Sequence, residues 1–148
     1  MKEQLHFWTA YQEYMAKNSP IRCQKPQSRQ WMNHSIGWPS DIHLTSIIST
    51  RKPGTGEPEI RVELGLLGAK AKQRFSDLEG RREEIERACG THLSWHNPGG
   101  KNMCKIYVSK VGGADFLQEK LWPQQQQWLR DNLELFQRVF DPIIHKTA

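Results

Sequence analysis

The sequence predicts an α+β fold: a mainly antiparallel five-stranded sheet with helices packed on one face, in the order α-βββ-α-ββ-α, as one domain over residues 1–148. Three observations carry this prediction. Ile60, Val62, Leu64 and Leu66 alternate with Glu59, Arg61, Glu63 and Gly65, the period of a strand with one covered face and one wet face. Phe75–Trp95 (FSDLEGRREEIERACGTHLSW) is an amphipathic stretch that runs into a glycine and then directly into a short strand bearing a Trp. Strand patterns come in groups between helices, which favours a meander with helices on one side over a doubly wound parallel sheet.

The first helix spans about Lys2 to Lys17, with Leu5, Trp8, Tyr11 or Gln12, and Met15 on one face. Asn18-Ser-Pro20 ends it, because Pro disfavours helix at the residue before it. Ile21–Gln30 reads as a polar, basic connector. Trp31–Gly37 and the β-branched run Ile42–Thr50 are strands around the turn at Gly37-Trp-Pro-Ser-Asp41. The loop Arg51–Pro58 leads into the third strand, Glu59–Leu67.

The second helix covers about Ala69–Cys89. Ala71, Phe75, Leu78, the stem of Arg82, Ile85 and Cys89 keep the helical period, and Gly90 supplies a left-handed cap. Gly80 weakens its middle by about 1 kcal/mol relative to Ala. Strands Thr91–His96 and Met103–Lys110 bracket the turn signal Asn97-Pro-Gly-Gly-Lys101. After Gly112-Gly113 the last helix takes Pro123 in its first turn. Leu129, Leu133, Phe136 and Phe140 line one face, and Asp141-Pro142 closes it.

Composition narrows the class. A chain of 148 residues suits a single domain, one able to bury roughly two-thirds of its unfolded surface. Hydrophobic content of 36% and a mean hydropathy of −0.75 are polar for a globular chain. Six Trp, five Phe and three Tyr offset this, since each large ring buries about 150–250 Å². No segment suits a signal-peptide core or a membrane span. Cys23, Cys89 and Cys104 are sparse and odd in number, as expected of reduced thiols in a cytoplasmic protein.

The net charge of +5 is unevenly placed. Residues 18–56 carry Arg22, Lys25, Arg29, Arg51 and Lys52 against Asp41 alone up to the acid at Glu57, and residues 99–113 carry Lys101, Lys105 and Lys110 with no acid. Such clusters favour a polyanionic partner, nucleic acid above all, although a modest surplus also serves solubility. Ile21–Trp31 (IRCQKPQSRQW) is the richest stretch. Arg22, Lys25 and Arg29 are phosphate donors, Gln24, Gln27 and Gln30 are amide readers, and Trp31 is a stacking ring. Arg51 and Lys52 extend this surface, and Lys101 with Lys105 forms a second patch. The competing reading makes Trp31 a core residue and the rest an ordinary loop. Trp38 and Trp122 adjoin prolines at element ends and are candidates for a protein-binding patch. Trp8, Trp95, Trp128 and Phe136 fall on apolar stripes and read as core.

Catalytic constellations are absent. A restriction-type nuclease needs two carboxylates around a metal and a lysine two residues after one of them. The best attempt, Asp41 with Glu63, has Gly65 where that lysine belongs, and Glu57 and Glu59 flank Pro58 beside a loop. Cys89, His92, His96 and Cys104 have zinc-like spacing, but His92 and His96 on one strand would stand about 13 Å apart. His34 and His43 face each other across the first hairpin with Ser35 and Ser40 near, yet no acid completes a triad. Gly54-Thr-Gly56 precedes a strand, not a helix, so it does not cradle phosphate. No cofactor or metal is expected.

Ser35–Gly37 (SIG), Arg61–Leu64 (RVEL), Phe75–Leu78 (FSDL), Ile85–Glu86, Leu93–Trp95 (LSW), Lys105–Val108 (KIYV) and Trp128–Ile144 together resemble the bacterial "domain of unknown function 4268" family over nearly the whole chain. In that family the domain often follows a restriction-endonuclease-like domain and also occurs alone. The sequence is expected to begin directly at the domain, without a nuclease half. The resemblance implies a mobile-element, DNA-defence or DNA-repair setting. It transfers no catalytic residue. The expectation is a non-catalytic domain that contacts nucleic acid, DNA first, with docking on a nuclease or other protein as the alternative and an unrecognised enzyme as a remote third.

Overall fold

Among the described residues six strands, not five, form the sheet, and every neighbouring pair is antiparallel. The computed structural model of the chain describes residues 2–52 and 54–147. Its strands are β1 (Arg22–Cys23), β2 (Trp31–Ser35), β3 (Ile42–Ser49), β4 (Glu59–Leu67), β5 (Ser94–His96) and β6 (Met103–Lys110). They lie side by side in the order β1-β2-β3-β4-β6-β5. The helices are α1 (Lys2–Asn18), α2 (Ala71–Glu79), α3 (Arg82–Cys89) and α4 (Trp122–Thr147), with one 3-10 turn at Glu119–Leu121.

The extra strand is β1, inside the stretch expected to be a connector. Arg22 pairs with Ser35 and Cys23 with His34. Two polar residues carry no period of their own, so only the finished β2 edge reveals them. The long second helix is two. Arg81 leaves helical geometry (φ −111°, ψ 18°), and its N–H turns to the Leu78 carbonyl. Gly80, the poorest helix former in the stretch, sits at that break. Gly90 caps α3 with φ 75°, in the left-handed region expected of it.

Helix α4 also departs from expectation by running through Pro142 to Thr147. Proline removes the N–H that would reach back one turn. Buried Phe140 and Ile144 hold the chain on the core either side of it, and the Trp38 indole donates to Asp141 at 2.7 Å.

One hydrophobic core fills the space between the sheet and the helical layer. Leu44, Ile48, Ile60, Val62, Leu64, Leu66, Cys104 and Ile106 point into it from the strands. Phe7, Trp8, Tyr11 and Met15 meet them from α1, and Leu129, Leu133, Phe136 and Phe140 from α4. Leu5, expected on the buried face of α1, is 39% exposed, and Phe7 takes that place. Among the described residues no helix is long and apolar enough to cross a membrane.

Tyr11 joins the layers with a polar chain. Its hydroxyl lies 2.9 Å from Ser46 Oγ, which lies 2.8 Å from His34 Nε2. His34 Nδ1 is 3.0 Å from the Arg22 carbonyl, so that nitrogen carries the proton and donates. Nε2 therefore accepts from Ser46. Burial lowers the His34 pKa to about 4, against a smaller opposing pull from the Arg22 carbonyl.

Candidate nucleic-acid interface

Strand parity decides what reaches the sheet's other face. Met32 and His34 are buried on the helix side, so Trp31, Asn33 and Ser35 stand opposite. The ladder carries this parity across the strands. Trp31 lies in one row with Ile47, Arg61 and Ser109, and Asn33 in the next with Thr45, Glu63 and Tyr107. His43, Gly65, Lys105 and His96 form a third, with Arg22 and Ser35 paired at its far end.

Trp31 is 41% exposed, outside the core. The Arg29 guanidinium lies over its ring, 3.4 Å from the centroid. Three bonds fix this pair. Arg29 Nε donates to the Trp31 carbonyl at 3.2 Å, and the buried Trp8 indole donates to the Arg29 carbonyl at 2.7 Å. The Ile48 N–H donates to the Gln30 carbonyl at 2.8 Å. A segment with little regular structure thus presents a preformed stack.

A second stack lies on the same face. Arg61 covers Tyr107 at 3.9 Å while holding Glu59 through two bonds of 3.0 and 3.1 Å and Glu63 through one of 2.8 Å. Lys105 Nζ approaches Glu63 at 3.8 Å. Burial by itself would lower the Arg61 pKa, but the bonds to Glu63 and Glu59 outweigh it and raise it above the ordinary value. The face expected to be wet is therefore dry at Glu59 and Glu63, which are 1% and 5% exposed. Arg61 occupies the space between these carboxylates that a nuclease metal would need. Asp41 is remote from them in the ladder and pairs with Arg74 at 2.7 Å.

Gly65 has no side chain to cover the strand here. A depression of about 320 Å³ results, lined among others by Trp31, His43, Thr45, Glu63, Met103 and Lys105. The β3–β4 loop reaches the same face, since Lys52 Nζ donates to Ser109 Oγ at 3.1 Å. Arg22, Arg29, Trp31, Lys52 and Lys105 therefore share one surface. Lys25 and Arg51 are exposed in the connections beside Arg29 and Lys52, and Lys101 is exposed in the β5–β6 connection.

Charge follows the layers. The strands and their connections hold Arg22, Lys25, Arg29, Arg51, Lys52, Arg61, Lys101, Lys105 and Lys110 against Asp41, Glu57, Glu59 and Glu63. Basic and acidic residues balance in the helices and their flanks, so the whole surplus of +5 sits with the sheet.

The other singled-out residues lie elsewhere. Trp38 donates to Asp141, and the Trp122 indole donates to the Phe116 carbonyl at 2.7 Å; both rings are half-buried against the core. His34 and His43 do not face each other. His34 is opposite Leu44 in the ladder, so His43, one residue away, points to the open face. Its Nε2 lies 2.9 Å from the Ser40 carbonyl. Among the described residues no three His, Cys, Asp or Glu side chains converge as metal ligands. His92 turns instead to Glu86 at 3.1 Å. Sequence reasoning missed the Arg61–Tyr107 stack and the depression. The placement of Gly65 on the outer face was its one signal.

The model of the family described as "Domain of unknown function (DUF4268)" matches residues 3–144. The chain belongs to this family. No curated protein matches this DUF4268 domain. Among solved structures it is similar to "Crystal Structure of the ExsC-ExsE Complex", with 10% identity and a TM-score of 0.36 over 92% of this chain and 94% of that one. Similarity at that level carries no argument about function.

Proposed function

We propose that the open face of the sheet contacts nucleic acid without catalysing a reaction. The supporting observation is the exposed Arg29–Trp31 stack on the layer that holds the entire positive surplus. Arg22, Lys25, Arg29, Arg51 and Lys52 neutralise phosphates in this reading, with Lys101 and Lys105 extending the track. The carboxylates on the same face, Glu59 and Glu63, are buried, and Arg61 together with Lys105 offsets their two charges, so they repel a polyanion little. The bacterial DNA-defence or repair setting implied by the family resemblance makes DNA the first polymer to test, beside a nuclease or other protein. The alternative reading, a protein-docking module anchored by Trp38 and Trp122, would use rings that are half-buried and whose N–H groups bond within the domain.

The test is fluorescence anisotropy with labelled duplex and single-stranded DNA over a salt series. Affinity should fall steeply with salt, with a logarithmic slope of about 0.7–0.9 per phosphate neutralised. Combined Arg22→Ala, Lys25→Ala and Arg29→Ala should abolish most binding. Absence of binding at low salt would remove the proposal.

A further inference from the structure

We infer that this face takes single strands, with one base unstacked into the depression over Gly65 and against the Arg29–Trp31 pair. The inference rests on the nucleic-acid reading above and adds its substrate class.

Duplex DNA offers an outside of phosphates, with its base edges inside grooves that only a protruding helix or ribbon reaches. Among the described residues the helices pack against the other side of the sheet, so none projects from this face. It is a sheet whose exposed ring and guanidinium are planar surfaces, the kind on which unpaired bases stack. The Trp31 ring itself offers little to a phosphate backbone, whereas the Arg29 charge serves either polymer.

The floor fits a planar guest. Gly65 leaves the strand bare, and the polar edge is set by half-buried Asn33 and His43 in the neighbouring rows. Asn33 Oδ1 already accepts from Thr45 Oγ1 at 2.7 Å, which aims its amide N–H groups outward toward His43, 3.5 Å away. That amide can meet a base edge. Lys105, half-buried on the same rim, reaches a flanking phosphate.

Gly65 also gives a clean test. Its φ is not in the left-handed region, and an added Cβ would meet only His43 Cβ and the His43 carbonyl at 3.9 Å, ordinary contact. The Cβ of Gly65→Val therefore meets no close neighbour, and the side chain narrows the depression without removing a charge. Binding of a labelled single strand, the same strand with abasic sites, and a duplex would be compared for wild type, Gly65→Val, Trp31→Ala and Trp31→Phe. Thermal melts would confirm that each is folded.

Wild type should prefer the single strand. Trp31→Ala should weaken it roughly tenfold or more, the scale of one lost base–aromatic stack, and Trp31→Phe should restore most of that. Gly65→Val should weaken it similarly with an unchanged salt slope, and abasic sites should mimic it. Equal or tighter duplex binding would overturn the inference, as would Trp31→Ala and Gly65→Val proteins that bind the single strand normally. Either result leaves phosphate contact standing, whereas no salt-dependent binding to any probe removes both readings. Should Gly65→Val fail to fold, the Trp31 pair and the abasic strand decide the matter.

Discussion

Glu86 in α3 accepts the indole N–H of Trp95 in β5 at 3.0 Å. The same carboxylate accepts the Leu93 N–H at 2.8 Å and faces His92 Nδ1 at 3.1 Å, with Arg82 Nε 3.5 Å away. The Leu93 bond first, then Trp95, holds its pKa down at about 2. One side chain thus fastens the end of α3, the Gly90 turn and the edge strand.

Replacing it should loosen that corner. Glu86→Ala should cost about 2 kcal/mol, since hydrogen bonds to a charged group contribute about 1.5–3 kcal/mol each and this group is partly solvated. Glu86→Gln should lose less. Because the folded pKa lies below the unfolded one, the Glu86 contribution is present above pH 4.5 and is lost as pH falls toward about 2. Urea melts of wild type and variant across that window would check both statements; parallel curves would refute them.

His34 acts in a higher window. Its folded pKa is depressed from 6.5 to about 4, so the unfolded chain takes up a proton first as the solution is acidified. Stability should be full above pH 6.5 and decline by about 3 kcal/mol on approaching pH 4. His34→Gln, which keeps a donor and an acceptor without titrating, should flatten that decline. Denaturation midpoints measured from pH 7 to pH 4 would show it, and an unchanged slope in the variant would rule this group out as its source.

Arg61 makes a third case. Arg61→Met strands Glu59 and Glu63 in a dry setting and should cost about 3–5 kcal/mol, the usual effect of breaking a buried ion cluster. Adding Glu59→Gln and Glu63→Gln should recover much of the loss, because the penalty lies in uncompensated charge. Chemical denaturation of the single and triple variants measures the difference; a triple variant no better than the single would point to lost packing over Tyr107.

Salt dependence offers a further check on the open face. Lys105→Gln, in a residue held only loosely at 3.8 Å from Glu63, should lower the salt slope for a single strand by about 0.7 if Lys105 neutralises one phosphate. Anisotropy titrations at four or five salt concentrations suffice. An unchanged slope would take Lys105 out of the track.

The sheet was legible in the sequence where burial imposed a period. Glu59–Leu67 lies where its alternation placed it, because eight neighbours in register on each side leave a slipped strand no buried face. The edge was not, since Arg22 and Cys23 are strand only by virtue of Ser35 and His34 beside them. Pro142 misled for the opposite reason: a local stop signal lost to the burial of Ile144. The basic connector was visible as charge and Trp31 as a ring, but whether that ring faced the core depended on the parity of Met32 and His34, which needs the ladder. The burial of Glu59 and Glu63 arises from Arg61 on their own strand held over Tyr107 on the adjacent one, and that cross-strand contact is carried by no one-dimensional pattern.

The division of charge between layers also bears on how a partner would arrive. A body that is neutral on one side and strongly positive on the other carries a permanent electric asymmetry. In the field of a polyanion it is turned before it is touched, so encounters begin with the sheet leading and the helices trailing. Adding acid to the sheet would slow arrival; adding base to the helices would blunt orientation while raising overall attraction.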